Sequence, residues 1–498
     1  MPRALLSVYD KNGISEFAKE LVELGWEVIS SGGTAAHLRE SGITVIEVAE
    51  ITNTPEMLNG RVKTLHPNIH GAILADRSNP EHLADLKNRN IKLIDLVVVN
   101  LYPFSEEPGI ELIDIGGPTM VRAAAKNHSS LGVVIDPLKY STIIEEIKLN
   151  GLLSNETKRN LARDAFAHTA AYDAAIVTWF DKDILELPKS LHFSLEKTTD
   201  LRYGENPHQS GARYRFFKEK GWWDDSLIHG GKQMSYLNLF DAEAAWKLVN
   251  ELGDNPSAVV IKHANPCGAA SANSIEEAYL AAHACDSVSA FGGVVGLNRS
   301  VTKDVAEELA GIFTEVIIAP SYEQEALKIL QERQNLRIIE APIPSHSKFD
   351  LKSLDGGLLI QTSDSLIDGR SQWNVVTERE PTENEWIDLE FAWKVAARVS
   401  SNAIVLVKNS QAVGIGAGQQ NRRDAARIAA QKAEKRALGG ACASDAFFPF
   451  RDGLDAAIDS FATSVIQPGG SVRDQEVIDA ANEAGLAMVF TGYRHFRH

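Results

Sequence analysis

The chain has 498 residues, a length that predicts two to four domains at roughly 100–200 residues per domain. Its 50 Lys and Arg residues against 67 Asp and Glu residues give a formal net charge of −17. This balance argues against a nucleic-acid or membrane-surface partner, because both need an extended basic face. It leaves room for a compact site that holds a small anion with backbone N–H groups and a few cations.

The number of cysteines and the lengths of the apolar runs indicate the cellular location of the protein. The three cysteines Cys267, Cys285 and Cys442 are too few for a disulfide framework and include no Cys-x-x-Cys pair. They predict a reducing, cytoplasmic location and no structural zinc. The apolar run at the N-terminus is too short for a signal peptide, and no stretch approaches the ~18 apolar residues of a membrane span.

The first 135 residues alternate short β-branched runs with amphipathic helical patterns, which is typical of a parallel βαβ sheet. Strands are predicted at 5–8, 26–29, near 44–48, at 95–100 and at 132–135. A long Ala-rich helix is predicted from Asn155 to about Phe180. We place a domain boundary near residue 195, which gives a first domain at 1–195 and a second part at 196–498.

In the second part, predicted strands and helices alternate again. Strands at 258–261 and 403–407 are each predicted to run into a loop and then a helix. The pattern indicates two further α/β subdomains, at about 196–370 and 371–498, with a polar connection at 364–385. The segments AVVIKHANPCG and AIVLVKNSQAVGIGAG are loosely alike, so an internal duplication is a hypothesis.

A turn with two consecutive glycines lies between the second predicted strand and a predicted helix. It consists of Ser31, Gly32, Gly33 and Thr34. Glycines let backbone N–H groups converge on an anion, and the helix N-terminus adds partial positive charge, so the turn could hold a phosphate. Taken alone, an ordinary strand–helix turn explains it more simply. Lys11, just after the first strand, could lie beside it at the carboxyl edge of the sheet.

A basic loop and a strand end add polar groups to the first domain. The loop GRVKTLHP contains Arg61, Lys63 and Thr64 without an acidic residue, which favours anion binding or catalysis over a solvated charge run. Asn100 and Tyr102 follow an apolar strand. A half-buried tyrosine with a hydrogen-bonded hydroxyl is the common alternative for the latter.

Asp114 stands between two isoleucines and precedes a glycine pair. The segment continues with Ile115, Gly116 and Gly117 and then enters a predicted helix. A carboxylate in such surroundings is costly unless it is paired, and Lys126 is the candidate cation. A structural ion pair and a catalytic role explain Asp114 equally well.

Two motifs of the second part carry recognition and acid–base side chains. In LRYGENPHQ, Arg202 could bind a phosphate or carboxylate bidentately and Tyr203 could stack on a planar ring. In KHANPCG, Lys262 and His263 stand at a strand end. A fixed cation favours the neutral imidazole, which is the base form, although a lone histidine is most often structural.

Further candidates lie downstream. SAFGG offers a backbone-exposing turn, and the aromatic segment SDAFFPF either lines a pocket for a flat ligand or packs in the core. The chain ends in Tyr493-Arg494-His495-Phe496-Arg497-His498, a position where disorder is the ordinary expectation.

Eight motifs together resemble one known family. In chain order they are GRVKTLHP, NLYPF, IDIGG, LRYGENPHQ, KHANPCG, SAFGG, GAGQQ and SDAFFPFRD. They make the chain, over essentially its whole length, similar to the PurH family, which joins an inosine monophosphate (IMP) cyclohydrolase to an aminoimidazole carboxamide ribonucleotide (AICAR) formyltransferase. The resemblance implies an α/β fold with an N-terminal methylglyoxal-synthase-like parallel-sheet domain, followed by two cytidine-deaminase-like α/β subdomains.

The resemblance also implies two reactions and their residues. AICAR takes a formyl group from 10-formyltetrahydrofolate, and the formyl-AICAR product closes its ring with loss of water to give IMP. The catalytic positions implied are Lys262, His263, Asn402, Lys63, Tyr102, Asp114 and Lys126. The nucleotide-binding positions implied are Arg202, Tyr203, Gly292, Arg422, Phe447, Arg494, Phe496, His498, Lys11, Ser31, Gly32, Gly33, Thr34, Arg61, Thr64, Asn100, Ile115, Gly116 and Gly117.

Roles and partners follow from the same resemblance. His263 is the implied base with Lys262 as its electrostatic partner, and Asn402 would orient the carboxamide or formyl group. A homodimer is implied, with the formyltransferase site at the subunit interface and small molecules as the only other partners. Glu315 replaces an aspartate of animal members. No metal is expected, because Pro266-Cys267 is followed by Gly-Ala-Ala and not by a second cysteine at zinc-deaminase spacing.

Two other functions compete with this interpretation. A non-catalytic sensor of a phosphorylated metabolite would use the first domain as a regulatory module and would have no need for Lys262 and His263. A methylglyoxal-synthase-like lyase with an unrelated partner domain would leave LRYGENPHQ unexplained.

Overall fold

The computed structural model describes residues 1–184, 187–345, 347–366 and 369–498. Within these ranges the chain forms two compact units. One comprises Met1–Leu195 with Phe216–Lys218, and the other comprises Glu196–Arg215 with Glu219–His498. No helix in the described ranges has the length and apolar character needed to cross a membrane.

The first unit is a layered α/β structure. Its strands are β1 (Arg3–Val8), β2 (Glu27–Ser30), β3 (Ile46–Glu47), β4 (Leu96–Asn100) and β5 (Gly132–Val134). Its helices are α1 (Ile14–Glu23), α2 (Gly32–Glu40), α3 (Val48–Thr52), α4 (Pro67–Leu74), α5 (Pro80–Asn88), α6 (Gly116–Lys126), α7 (Tyr140–Asn150) and α8 (Asn155–Phe180). Short 3-10 turns lie at Leu58–Gly60, Ile110–Leu112 and Pro137–Lys139.

The five strands are parallel and follow the order β3-β2-β1-β4-β5. Their apolar runs are nearly continuous because both faces of the sheet are buried; Leu5 and Val97, which pair across β1 and β4, are 0% exposed. The strand order reverses between β1 and β4. The carboxyl edge at such a switch point is where open α/β sheets bind ligands.

The five predicted strands of the first unit are present, with bounds that differ from the prediction by one or two residues, and the third strand is shorter than expected. The strand expected near 44–48 is limited to Ile46–Glu47. Glu47 and Glu50 form a reciprocal capping box that starts α3 at Val48, so the backbone leaves the extended conformation there.

The second unit contains a large mixed sheet and two separate ribbons. Its strands are β6 (Leu195–Leu201), β7 (Gly211–Phe216), β8 (Leu227–Gly230), β9 (Ser257–Lys262), β10 (Asn265–Ser271), β11 (Gly293–Leu297), β12 (Thr314–Ala319), β13 (Arg337–Glu340), β14 (Phe349–Leu354), β15 (Gly357–Thr362), β16 (Asn374–Val375), β17 (Ile404–Lys408), β18 (Gln411–Gly416), β19 (Ala441–Ser444), β20 (Ser464–Gln467) and β21 (Ala487–Phe490). Its helices are α9 (Tyr236–Glu251), α10 (Ile275–Cys285), α11 (Ser287–Ala290), α12 (Lys303–Ala310), α13 (Gln324–Gln331), α14 (Glu383–Ala396), α15 (Arg422–Ala433), α16 (Arg451–Asp459) and α17 (Asp474–Glu483), with a 3-10 turn at Arg370–Gln372.

The large sheet is an internal duplication. From its centre outwards, one half runs β10-β9-β11-β12-β13-β8 and the other runs β18-β17-β19-β20-β21-β16. Matching neighbours are antiparallel, antiparallel, parallel, parallel and antiparallel in both halves. The halves meet where Ala270 of β10 pairs with Gln411 of β18. The loose sequence likeness therefore reflects a repeated topology. Of the polar connection expected at 364–385, residues 367 and 368 lie outside the described ranges.

Each half contains a hairpin where the sequence predicted a strand followed by a loop. Residues 265–271, expected to lead into a helix, form the strand β10, which pairs antiparallel with β9. The turn residues His263 and Ala264 have φ of 53° and 56°, and the matching residues Asn409 and Ser410 have φ of 52° and 56°. Tight turns with positive φ usually contain glycine or Asn-Gly, so His-Ala gave no turn signal.

The two halves also share a close strand–helix contact that requires glycine. A Cβ added to Gly268 of β10 would lie 1.8 Å from the Ala282 carbonyl oxygen of α10. At the matching position, a Cβ on Gly414 of β18 would lie 2.1 Å from the Ala429 carbonyl oxygen of α15. Backbone atoms cannot yield at such distances, so the helix packs on the hairpin only when the strand lacks a side chain here.

We expect Gly268→Ala to lower the free energy of unfolding by about 1–3 kcal/mol, because the new methyl group overpacks a rigid contact. Urea unfolding measures the change. Gly311→Ala is the matched control, since a Cβ there meets only an ordinary contact at 3.7 Å, and its effect should stay within about 0.5 kcal/mol. Equal stability of the two variants would contradict the packing described.

Candidate functional site

The loops that follow β1 and β2 meet at the carboxyl edge of the first sheet. Thr34 Oγ1 accepts a hydrogen bond from Val8 N–H at 3.1 Å and donates to the Val8 carbonyl at 3.0 Å. Lys11 Nζ donates to the same carbonyl and lies 3.4 Å from Thr34 Oγ1. Burial lowers the pKa of Lys11. The buried Thr34 hydroxyl thus joins the loops that follow β1 and β2, and the implied nucleotide-binding role of Thr34 stays a prediction.

The glycine turn forms the start of α2, with Ser31 extended before it. The first N–H groups of a helix lack partners within the helix and point towards any bound anion. A Cβ on Gly32 would lie 2.6 Å from Lys63 Nζ, and one on Gly60 would lie 2.6 Å from Lys63 Cε. Lys63 Nζ also pairs with Glu56 at 3.1 Å. The two glycines thus make room for an ammonium group beside the helix N-terminus.

The other residues of the basic loop take different positions. Thr64 is buried, and its Oγ1 would lie 3.3 Å from a Cβ on Gly116, which places it against the start of α6. Arg61 is two-thirds exposed and forms an ion pair with Glu111. Of the basic-loop residues, Lys63 adjoins the glycine turn and Thr64 adjoins α6, while Arg61 is held by a carboxylate.

Asn100 serves the backbone of a neighbouring loop. Its Oδ1 accepts from Tyr9 N–H at 2.5 Å and from Asp10 N–H at 2.9 Å, and its Nδ2 donates to the Asp10 carbonyl at 3.0 Å. The implied nucleotide-binding role of Asn100 stays a prediction. Tyr102 packs edge-on against Tyr9 with ring centroids 5.4 Å apart and is 40% exposed, so it borders the same edge of the sheet.

Asp114 caps α6. Its Oδ1 accepts from Gly117 N–H at 2.9 Å, and its own N–H donates to the Tyr172 hydroxyl at 2.7 Å. A Cβ on Gly117 would lie 2.3 Å from Asp114 Oδ2, so the contact requires glycine. Burial raises the pKa of Asp114, and the backbone N–H groups of the glycine pair oppose that shift.

Lys126 is not the partner of Asp114, contrary to expectation. It is exposed at the last residue of α6, about 15 Å along the helix axis from the end that Asp114 caps. The sequence did not reveal this distance; Asp114 and Lys126 lie at opposite ends of an 11-residue helix. Ile115, the residue before α6, is 60% exposed.

In the second unit, the β9–β10 hairpin presents Lys262 and His263. Lys262 Nζ donates to the carbonyls of Phe291 and Gly292, both at 3.0 Å. Gly292 has φ of 69°, and a Cβ there would lie 3.2 Å from Lys262 Nζ. His263 is exposed at the tip of the turn. The structure therefore brings Lys262, His263 and the SAFGG turn together.

The loop that contains Asn402 adjoins this hairpin. Asn265 Oδ1, at the start of β10, accepts from Ser400 N–H at 2.8 Å. Asn402 Nδ2 donates to the Gln419 carbonyl at 2.8 Å. The hydrogen bond between Ser400 N–H and the Asn265 side-chain amide thus joins the hairpin to the loop that precedes β17.

The C-terminal residues are held in place and alternate in exposure. Arg494, Phe496 and His498 are exposed, whereas His495 and Arg497 face inwards. The Arg494 guanidinium lies 4.7 Å from the Phe496 ring centroid, and that ring is 5.7 Å from the His498 ring. His495 N–H donates to the Asp445 carbonyl at 3.1 Å. The ordinary expectation of a disordered terminus is wrong here, because its inward residues bond the fold.

Arg422 is not a free cation. It is 9% exposed, its Nη2 donates to Asp445 Oδ1 at 2.8 Å and its Nη1 donates to the Phe447 carbonyl at 3.2 Å. Its Nε has no hydrogen-bond partner among the described residues, and its implied nucleotide-binding role stays a prediction. Phe447 is partly exposed, while Phe448 beside it is fully buried, so the aromatic segment serves both the core and the surface.

Three other predicted features have defined surroundings. Arg202 Nη2 donates to the Tyr203 hydroxyl at 2.9 Å in the loop between β6 and β7, and contacts among the described residues do not join this pair to the Lys262 hairpin. Glu315 pairs with Arg337 at 2.5 Å. The described residues contain no group of three or more His, Cys, Asp or Glu side chains arranged to hold a metal.

Sequence reasoning missed the residues that hold the hairpin by its backbone. Asp241 and Arg497 both bond Ala264, the second residue of the turn. Asp241 lies outside every motif, and Arg497 lies in the C-terminal segment without a role of its own. A residue whose partner is a backbone atom leaves no pattern in the partner's sequence.

Comparison with known proteins identifies the family of the chain. Residues 124–432 match the family described as AICARFT/IMPCHase bienzyme, and residues 13–125 match the MGS-like domain. Proteins named bifunctional purine biosynthesis protein PurH from Bacillus cereus (strain B4264) and Thermoanaerobacter sp. (strain X514) are each 48% identical, over 100% of this chain and 99% of theirs. A solved structure titled "Crystal structure of ForH" is 36% identical with a TM-score of 0.34, covering 36% of this chain and 97% of its own.

Full-length identity at this level rules out an unrelated partner domain, and the family is defined by its two activities. The chain belongs to the AICARFT/IMPCHase bienzyme family and catalyses the last two steps of IMP synthesis, formyl transfer to AICAR and closure of formyl-AICAR to IMP.

Proposed function

We propose that the two reactions take place in separate units, with ring closure in residues 1–195 and formyl transfer in residues 196–498, whose subdomains lie at about 196–370 and 371–498. The observation that carries this assignment is the position of the acid–base side chains. Lys63 and Asp114 lie at the carboxyl edge of the first sheet, whereas Lys262 and His263 lie on the hairpin of the second unit. Each unit thus has its own proton-transfer groups.

For formyl transfer, we assign the base to His263 and the donor to 10-formyltetrahydrofolate. The AICAR amine attacks the formyl carbon, and its proton passes to the imidazole. The tetrahedral oxyanion collapses, the bond to the folate nitrogen breaks, and tetrahydrofolate leaves with a proton returned by His263. Lys262, the residue before His263, is assigned the stabilisation of the negative charge that develops in the tetrahedral intermediate. Asn402 orients the carboxamide or the formyl group.

The nucleotide in this unit is assigned to exposed residues around the hairpin. Gly292 adjoins Lys262, and Arg494, Phe496 and His498 form one exposed row on the C-terminal residues. Arg202 and Tyr203 supply a further guanidinium and an aromatic face. Arg422 acts indirectly, by fixing Asp445 and the Phe447 backbone.

Ring closure needs orientation more than strong acid–base chemistry, because both reacting groups belong to one molecule. Placement alone can supply about 7–11 kcal/mol of the barrier. The carboxamide nitrogen attacks the formyl carbon, and the formyl oxygen leaves as water with one proton from each nitrogen. Lys63, Tyr102 and Asp114 are positioned to move these protons, and the start of α2 with Lys11 is positioned to hold the 5′-phosphate.

We propose a homodimer, as the family resemblance implies, and the β14–β15 ribbon supports this proposal. A two-stranded ribbon is marginal in water without a further partner. One of its faces carries Phe349, Leu351, Leu358 and Ile360, and Leu351 and Leu358 are 40% and 52% exposed. Lys352 Nζ also donates to the His498 carbonyl at 2.6 Å, which connects the ribbon to the nucleotide-binding row. We assign the apolar face to a second copy of the chain, in the cytoplasm, where reduced folate and AICAR are available.

His263→Asn should lower formyl transfer by at least ~100-fold and leave closure of supplied formyl-AICAR unchanged. Asparagine is the sharpest substitute because Asn409 occupies the matching turn position in the other half, with φ of 52°. Tetrahydrofolate release and IMP absorbance measure the two reactions. Loss of both reactions in a folded variant would show that the two-site assignment is wrong, and His263→Ala should behave alike.

Asp114→Asn should have the opposite effect: ring closure falls by about 100-fold or more and formyl transfer persists. Asparagine keeps the Oδ1 acceptor for the Gly117 N–H, so α6 retains its cap. Because burial raises the pKa of Asp114, ring closure in the wild type should decline with falling pH above the range where an exposed aspartate titrates. An unchanged acid limb in the variant would remove Asp114 from the mechanism.

Leu351→Glu should dissociate the dimer, because it places a charge on the apolar face of the ribbon. Light scattering after gel filtration gives the mass, and formyl transfer should fall with dissociation. Gln361→Glu is the control, since Gln361 pairs with Asp350 on the opposite face of the ribbon. A Leu351→Glu protein that stays dimeric would exclude this face from the interface.

A further inference from the structure

The Lys262–His263 hairpin has a turn that needs outside support. His263 and Ala264 both have positive φ, near 53° and 56°, although neither is glycine. Left-handed conformations are unfavourable for residues with a Cβ and persist where surrounding groups hold them. Both the backbone N–H and the backbone carbonyl of Ala264 are bound by side chains from outside the hairpin.

On one side, Asp241 of α9 binds the turn. Its Oδ1 accepts from Ala264 N–H at 2.7 Å. Burial raises the pKa of Asp241, whereas the backbone N–H groups of Ala264 and His263 and the nearby cations oppose the rise. The carboxylate thereby fixes the N–H side of the turn.

On the other side, Arg497 binds the carbonyl. Its Nη1 donates to the Ala264 oxygen at 3.0 Å and to the Arg398 oxygen at 2.6 Å. The backbone oxygen of Arg497 accepts from Ser401 N–H at 2.8 Å. A single residue of the C-terminus therefore connects the hairpin, the residues that follow α14 and the loop that contains Asn402.

The duplicated half separates the structural part of this arrangement from the rest. There, Asp388 of α14 holds the matching turn: Oδ1 accepts from Ser410 N–H at 2.7 Å and Oδ2 accepts from Asn409 N–H at 3.1 Å. The Ser410 carbonyl accepts from a strand residue, Ser271 N–H, at 2.9 Å, and not from an arginine. The aspartate is thus common to both repeats, whereas the arginine belongs to the hairpin that carries His263.

We propose that Arg497 is a positioning residue for formyl transfer, which sets the Lys262–His263 hairpin and the Asn402 loop relative to each other through the Ala264 carbonyl and the Ser401 N–H. The inference rests on the proposed assignment of formyl transfer to His263. Its physical basis is that a base and an orienting amide on two separate loops react only when their spacing is fixed, since a displacement of about 1 Å can cost roughly 100-fold in rate.

The test compares Arg497→Ala, Arg497→Lys and a matched control in the full-length protein. Arg497→Ala should lower kcat of formyl transfer by roughly 10- to 100-fold with little change in KM for AICAR, and leave ring closure unchanged. Lysine can still donate to both carbonyls, so Arg497→Lys should recover part of kcat. Arg436→Ala is the control, because Arg436 also donates to backbone carbonyls, of Ala284 at 2.7 Å and Cys285 at 3.0 Å, away from the hairpin, and its kcat should equal the wild type.

A double-mutant cycle distinguishes positioning from general destabilisation. In a His263→Asn background, Arg497→Ala should cause no further loss of formyl transfer, because the base it positions is absent. Additive losses, or equal kcat for Arg497→Ala and Arg436→Ala, would overturn the proposal. If Arg497→Ala does not fold, Arg497→Lys alone decides, and wild-type kcat with wild-type pH dependence overturns it. Retained transfer in His263→Asn itself would instead refute the site assignment.

Discussion

The backbone of Ala264, whose N–H and carbonyl belong to two successive peptide groups, is the constraint on which the proposed formyl-transfer site depends. Its N–H is bound by Asp241 and its carbonyl by Arg497, and this pair of contacts holds two residues in a left-handed turn. This turn fixes the direction of the His263 side chain. Asn265, the residue after Ala264, accepts a hydrogen bond from Ser400 N–H and so positions the Asn402 loop. The proposed catalytic geometry therefore rests on backbone hydrogen bonds rather than on contacts among the reactive side chains.

The duplication shows which parts of this arrangement belong to the fold and which to the reaction. Lys408, the counterpart of Lys262, also donates to a backbone carbonyl, that of Gly439 at 2.6 Å. A lysine at this strand end is thus a structural element that both halves share. The next residue is a histidine in one half and an asparagine in the other, and the C-terminal arginine binds only the hairpin with the histidine.

The sequence predicted the strands and the family better than the partners of individual side chains. Apolar runs indicated the parallel strands, and motif order indicated the family, because both depend on residues near one another in the chain. The hairpin was missed since His-Ala lacks the glycine that marks such turns. Asn100, Thr34 and Arg422 have the side chains of ligand contacts, but they bond a backbone loop or a buried carboxylate distant in sequence. Those partners become visible only in three dimensions.

The central claim is that two independent sites act in sequence on one diffusible intermediate. The most direct measurement mixes His263→Asn protein with Asp114→Asn protein and supplies AICAR with 10-formyltetrahydrofolate. The account predicts that the mixture forms IMP, because one variant supplies formyl-AICAR and the other closes its ring, while each variant alone forms almost none. A mixture that makes no more IMP than the separate variants would contradict the account.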